Sequence, residues 1–133
     1  VIILILTDIL DGLKNDTELQ SLLEGTLTDK KIYAFSADKL KSIAYVYTDL
    51  NSNKITGQAR LELTINTLKV DYELNMLILD RLKQLLLTFA SEEFNDNILT
   101  IEQNGGGILE NEETKTIHNK IIFIIKYRER NDL

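Results

Sequence analysis

Ala59-Arg60-Leu61-Glu62-Leu63-Thr64-Ile65-Asn66 is the most regular stretch of the chain: Ala59, Leu61, Leu63 and Ile65 alternate with Arg60, Glu62, Thr64 and Asn66. Successive strand side chains point to opposite faces, so a period of two predicts a strand with one face buried and one wet. Such a strand belongs to an antiparallel sheet with solvent, or a polar lumen, on one side. Upstream, across the polar turn Asn51-Ser52-Asn53-Lys54, the segment Ser42 to Leu50 sets Ile43, Tyr45 and Tyr47 against Ala44, Val46 and Thr48. A short strand from Lys31 to Ser36 is expected before it. Downstream, from about Leu68 to Phe89, the period changes to that of a long helix. Leu74, Ile78, Leu82, Leu85 and Phe89 form one stripe, Tyr72, Met76, Leu79 and Leu86 a second on the far side, and Glu73, Asp80 and Gln84 a polar strip. A helix apolar over two arcs has more to bury than one sheet covers, so the second arc is expected either against a neighbouring subunit or wrapped by its own chain.

The two ends complete the pattern. Ile2, Ile5, Ile9 and Leu13 share one side of an expected helix from about Ile2 to Asn15. Asp16 is a candidate N-cap for a second short helix with Leu19, Leu22 and Leu23 at helical spacing, and Gly25 stands where a left-handed terminal residue would sit. Beyond the long helix, Ser91 to Asn97 reads as a polar loop, Ile98 to Gln103 as a short strand, and Asn104 to Gly107 as a glycine-rich turn or mobile loop. After the acidic stretch Glu110 to Glu113, a long strand from about Thr116 to Arg128 closes the sequence. Its Ile117, Ile121, Phe123, Ile125, Tyr127 face is core-like, and Ile122 and Ile124 make the other face apolar as well, so it is expected at the sheet centre or at a subunit contact. The fold class is α+β: an antiparallel or mixed sheet packed against an N-terminal helix and one long central helix.

Length and composition bound the function. With 133 residues the chain is read as one domain, 1–133, large enough for a core without disulfides or a structural metal. It has no cysteine and one histidine, His118, which excludes thiolate zinc sites, cysteine nucleophiles and paired-histidine catalysis. A net charge of -6 works against sequence-independent binding to nucleic acid, and the basic groupings Lys39, Lys41 and Lys126, Arg128, Arg130 are sparse. No apolar run approaches the roughly 20 residues a bilayer span needs. The start lacks the basic region and small-residue cleavage site of a signal peptide, and, not being Met, reads as trimmed.

No motif supplies chemistry. Asp49, Asn51 and Asn53 imitate the start of a calcium loop, but Lys54 stands where the turn needs glycine and Arg60 where a bidentate Glu is required. Asn104-Gly105-Gly106-Gly107 lacks the Lys-Ser/Thr and the helix of a phosphate cradle. Glu92, Glu93, Asp96, Glu110, Glu112 and Glu113 have nothing apolar nearby to separate their pKa values, and no Ser or Asp is placed to work with His118. The reading therefore contains no catalytic residue, no cofactor and no metal.

The order of elements is what carries a resemblance. Ile9-Leu10-x-x-Leu13 with Leu19-x-x-Leu22-Leu23-x-Gly25, Lys31-Ile32-Tyr33, Ala44-Tyr45-Val46-Tyr47, the alternation Arg60 to Asn66 running into the helix, and Glu113-Thr114 followed by His118 to Arg128 span nearly the whole chain. In order and spacing it resembles the tail-completion or tail-terminator proteins of long-tailed bacteriophages and phage-tail-like particles. Ser42-Ile43 stands where that family often has a proline.

The resemblance implies a virion structural protein and not an enzyme: a homohexameric ring on the head-proximal end of the tail tube, which stops tube polymerisation and joins tail to head or neck. Its implied partners are its own copies, the tail tube protein, a sheath where there is one, head-neck connector proteins, and DNA passing through the lumen without sequence-specific binding. The implied location is the virion tail or neck, with assembly in the host cytoplasm. Six-fold heterologous contacts would use sheet edges and the second helical arc, so Tyr72, Met76, Leu79 and Leu86 are the expected subunit interface. The alternatives are another neck or tail-tube subunit, or an unrelated intracellular adaptor that binds by strand addition.

Overall fold

The computed structural model describes residues 2–35, 39–53, 55–91 and 93–129, the side chains of Ile2 and Ile3 excepted. Ser36, Lys54, Glu92 and Arg130, and the side chain of Ile2, therefore lie outside the described residues. The chain runs α1 (Ile2–Lys14), α2 (Thr17–Leu23), β1 (Ile32–Ala34), β2 (Ser42–Ser52), β3 (Thr56–Leu68), a single 3-10 turn (Lys69–Asp71), α3 (Tyr72–Phe89), β4 (Ile98–Asn111) and β5 (Thr116–Arg128). The strands form one mixed sheet of order β1-β2-β3-β5-β4, in which only β1 pairs in parallel. All three helices contribute to one core: α3 packs against β3, β4 and β5 and also meets α1 and α2. The fold is the α+β class the periodicities predict.

The alternation holds from Ala59 to Ile65, but Asn66, expected on the wet face, is buried at 4% exposure, its Oδ1 2.6 Å from His118 Nδ1. Ala59, Leu61, Leu63 and Ile65 are fully buried, while Arg60, Glu62 and Thr64 between them keep part of their surface. On α1 the residues Ile5, Ile9 and Leu13 recur every four positions and are fully buried, as an apolar helical stripe facing a core requires. Burial of each such side chain is worth about 1.5–3 kcal/mol, so the protomer is held chiefly by this layer between helices and sheet.

Asp16 caps α2 as expected, its Oδ2 accepting from the Leu19 N–H at 2.9 Å. The C-terminal assignment is corrected: the left-handed residue is Glu24, with φ of 57°, not Gly25. Gly25 is needed for space, because a Cβ there would run into the side chain of Gln20, which reaches across to donate to the Lys30 carbonyl at 3.0 Å.

The second correction concerns the glycine run. It is neither a turn nor a loop but the middle of β4, whose register against β5 shifts between Gln103 and Gly106 and then resumes to Asn111. Gly105 and Gly106 take φ of 97° and 149°, a region open to glycine and costly for other residues, so the strand bulges and pairs on instead of turning back. Glu110 is accordingly a strand residue, and the hairpin to β5 is made by residues 112–115. β5 lies between β3 and β4, paired along its length on both sides, which is the inner position its two apolar faces predict.

Candidate assembly surfaces

Of the four residues singled out on α3, two belong to the chain's own core. Leu86 is fully buried and Leu79 is 9% exposed, whereas Met76 is half-buried and Tyr72 is 49% exposed. The expectation that all four make an inter-subunit surface is corrected for Leu79 and Leu86. At about 100° per residue the two apolar arcs are centred roughly 115° apart, so they are flanks of one broad face and not opposite sides. The chain wraps that face itself: α1 and α2 meet α3, which also packs on β3, β4 and β5, with Arg81 reaching Asp16 at the start of α2 and Asn119 of β5 lying against Met76. The exposed strip holds Glu73, Asp80 and Gln84 as read from the sequence, and also Leu77 and Leu87 at 55% and 70% exposure. Neither leucine joins a regular stripe, which is why periodicity passes over them.

The face of the sheet away from the helices is covered at one end, where Ser42, Ala44 and Asn66 are buried, and opens toward Thr48, which is exposed. Its register brings Val46, Glu62, Ile122 and Thr48, Arg60, Ile124 into rows, with Thr64 and Lys120 beside them. Ile122 and Ile124 are partly exposed there. Arg60 pairs with Glu62 at 2.7 Å, and Lys120, Lys126 and Arg128 are exposed along β5. A shallow groove of 460 Å³ crosses the end of this face, lined by Thr64, Gly106, Gly107, Ile108, Leu109, His118, Lys120 and Ile122.

His118 sits at that groove with Nδ1 2.6 Å from the Asn66 Oδ1 and Nε2 3.4 Å from the Thr116 hydroxyl. These hydrogen-bond partners are a hydroxyl and an amide, and among the described residues no carboxylate is hydrogen-bonded to the ring as a catalytic triad would have it. Asn53, from the calcium-like triplet, instead closes the β2–β3 hairpin, its Oδ1 accepting from the N–H groups of Ile55 and Thr56 at 2.7 and 2.8 Å. Among the described residues no group of three or more His, Cys, Asp or Glu is arranged to hold a metal ion.

Two polar constellations escape a sequence reading. Asn75 on α3 donates through Nδ2 to the Thr67 hydroxyl at 3.0 Å, and its Oδ1 accepts from Asn119 of β5 at 3.0 Å. Both asparagines are buried, and they key the first turns of α3 to the two central strands. Asp16 accepts from Arg81 Nε at 2.8 Å and Nη2 at 2.6 Å, joining α2 to α3. These hydrogen bonds from Arg81 hold the Asp16 carboxyl below its ordinary value. The residues are 44 and 65 positions apart, so the only signal in the sequence is polar residues within otherwise apolar arcs.

Two free edges bound the sheet. β1 covers β2 only from Ile43 to Tyr45, and β4 forms the opposite edge along 14 residues, nearly all of them exposed. Edges of this kind template pairing with another chain unless they are protected.

No protein-family model matches the chain, and no curated protein matches it by sequence. Solved structures do match: a chain of the "Virion of native gene transfer agent (GTA) particle" superposes with a TM-score of 0.65 at 8% identity, over 90% of this chain and 91% of that one. At that identity the likeness is one of fold, and it extends over almost the full length of both chains: this chain has the fold of a virion-particle subunit.

Proposed function

We propose that the chain is a structural, non-enzymatic part of a phage-like virion and, within that class, a tail terminator. In this reading six copies close a ring on the head-proximal end of the tail tube. One side matches the last tube layer and ends its growth; the other receives the head or neck. The observation that carries the reading is the fold shared over nine-tenths of the chain with a virion-particle subunit. It is supported by the element order that resembles the terminator family and by two open sheet edges, which heterologous contacts can use. Its partners would be further copies of itself, the tube protein, a sheath where there is one, and neck proteins, with DNA passing through the ring.

Electron microscopy of particles from the producing cell, with and without the gene, tests the reading. Overlong or headless tails in the deletion, corrected by supplying the protein, are the expected result. Normal joined particles would refute it and favour a strand-adding adaptor, for which the exposed β4 edge is the supporting feature.

A further inference from the structure

We infer that β4 of one copy pairs antiparallel with the outer half of β2 of a second copy, so that the sheet runs on from protomer to protomer. The inference rests on the ring reading and states which surfaces join and in what register.

The main-chain hydrogen bonds at the two edges fix which groups point outward. Arg128 donates to the Asn97 carbonyl at 2.6 Å on the β4 side, and its neighbour Glu129 to the Ile55 carbonyl at 2.7 Å on the β3 side. Residues along an antiparallel strand address their two neighbours alternately. Odd residues of β5 therefore bond to β3 and even ones to β4. Carried through the register, Ile101 and Gln103, opposite Ile125 and Phe123, turn their N–H and C=O away from the sheet. At the other edge the Tyr45 carbonyl accepts from Phe35 at 2.7 Å, so odd residues of β2 face outward. Beyond Tyr45 those residues are Tyr47 and Asp49, and no described strand lies alongside them.

From β2 to β4 inclusive the sheet has four antiparallel strands, and four is an even number. The edges consequently run in opposite directions, and at both the outward-bonding residues carry their side chains on the helix side: Tyr47 lies opposite the buried Leu61, and Ile101 opposite the buried Ile125. A second copy can therefore dock without flipping either face, and the helices stay on one side of the continued sheet. An odd number of strands would have forbidden antiparallel pairing of this kind.

Both edges are regular only over short runs. The β2 register shifts after Asp49, and β4 shifts before Thr100 and after Gln103. One antiparallel register brings both outward residues of each run together: Tyr47 opposite Gln103 of the next copy, and Asp49 opposite its Ile101. Thr48 then faces Glu102 across a non-hydrogen-bonded pair, with Cα atoms about 4.5 Å apart. That spacing is within the roughly 4.4–6.8 Å a disulfide spans. Within one protomer the same two residues are three strand spacings apart, about 14 Å, so an intramolecular bridge is excluded.

The chain has no cysteine, so Thr48→Cys combined with Glu102→Cys is a clean test, made in assembled particles under mild oxidation. The expected result is a ladder of disulfide-linked multimers on a non-reducing gel, absent from either single variant and from Thr48→Cys combined with Gln103→Cys. Gln103→Pro removes an outward N–H, which an edge strand tolerates, so it should keep the circular dichroism of the isolated chain and lose the ladder. Glu102→Pro removes an N–H bonded to β5 and should unfold the protomer instead. If the chain is in the particles, the cysteine pair is uncross-linked and Gln103→Pro assembles normally, edge pairing is overturned while the ring reading stands. If the chain is absent from the particles, the ring reading falls and the pairing with it.

Discussion

Replacing Asp16 separates two roles that one carboxylate performs. Its Oδ2 accepts both the Leu19 N–H and Arg81 Nε, and its Oδ1 accepts Arg81 Nη2. Asp16→Asn can keep the cap and the Nε bond through its single carbonyl oxygen, but it then turns an amide N–H₂ toward Nη2. Hydrogen bonds to a charged partner are worth about 1.5–3 kcal/mol, and the side chains remain 13% and 23% exposed, so screening reduces the loss to about 1–2 kcal/mol. Asp16→Ala loses the cap as well, adding about 1 kcal/mol, for a total of about 2–3 kcal/mol. In a chain of this size 1 kcal/mol moves Tm by roughly 3–5 °C.

The dependence on pH has a definite sign. The folded carboxyl titrates below its unfolded value because Arg81 stabilises the charged form. Its contribution is complete above the unfolded pKa of about 3.9 and disappears as pH falls through the lower folded pKa. Urea unfolding followed by circular dichroism at pH 7 and at steps below pH 4 should show the gap between wild type and Asp16→Asn closing over that acid window. Equal stability at pH 7, or a gap that persists unchanged in acid, would refute the assignment of the energy to the ion pair.

Three further outcomes are expected. Leu86→Ala should cost about 2–5 kcal/mol by opening a cavity and Leu87→Ala less than about 0.5 kcal/mol, a contrast that thermal unfolding reads directly because the neighbours are 0% and 70% exposed. Asn75→Ala removes one partner each from Thr67 and Asn119 in the core, leaving them the Leu68 carbonyl and the Met76 sulfur, and should cost about 1–3 kcal/mol; a loss under about 0.5 kcal/mol in urea unfolding would mean that those remaining contacts suffice. Gly106→Ala places a Cβ against the Lys120 carbonyl at a φ of 149°, and hydrogen exchange should then report loss of protection from Gly106 to Asn111 with β3 unaffected.

Periodicity exposed most of the fold because most of it is decided by which face meets the core. The β3 alternation from Ala59 to Ile65, the α1 stripe and the Ile121, Phe123, Ile125 face of β5 are each consequences of burial against the helices, and each is found where the spacing puts it, whereas Ile122 and Ile124 on the second face stay partly exposed. What stayed hidden depends on partners remote in sequence. Gly105 and Gly106 look like a turn locally, and only the presence of β5 alongside turns their freedom into a bulge in a continuing strand. Leu79 and Leu86 look surplus until flanking elements from both ends of the chain are seen to enclose α3. The candidate surfaces were less legible still. Edges are defined by the absence of a neighbour, and strand order, which assigns that absence, is not written in any one segment.

The place of β5 between β3 and β4 also sets a kinetic constraint. β2 and β3 are joined by a short turn and can zip from it, but the β3–β5 pairs join Leu68 to Thr116 and Thr56 to Arg128, separations of 48 to 72 residues. Closing such long loops comes before any reward from the contacts, which slows folding. β4 and β5 can likewise zip from their own hairpin, but until the two hairpins join, β3 and β5 each have one side bare, so the unfinished chain offers more unpaired backbone than the finished one. Newly made chains therefore spend their earliest life in the form most able to pair wrongly with each other, and the rate at which β5 docks on β3 decides how long that form lasts.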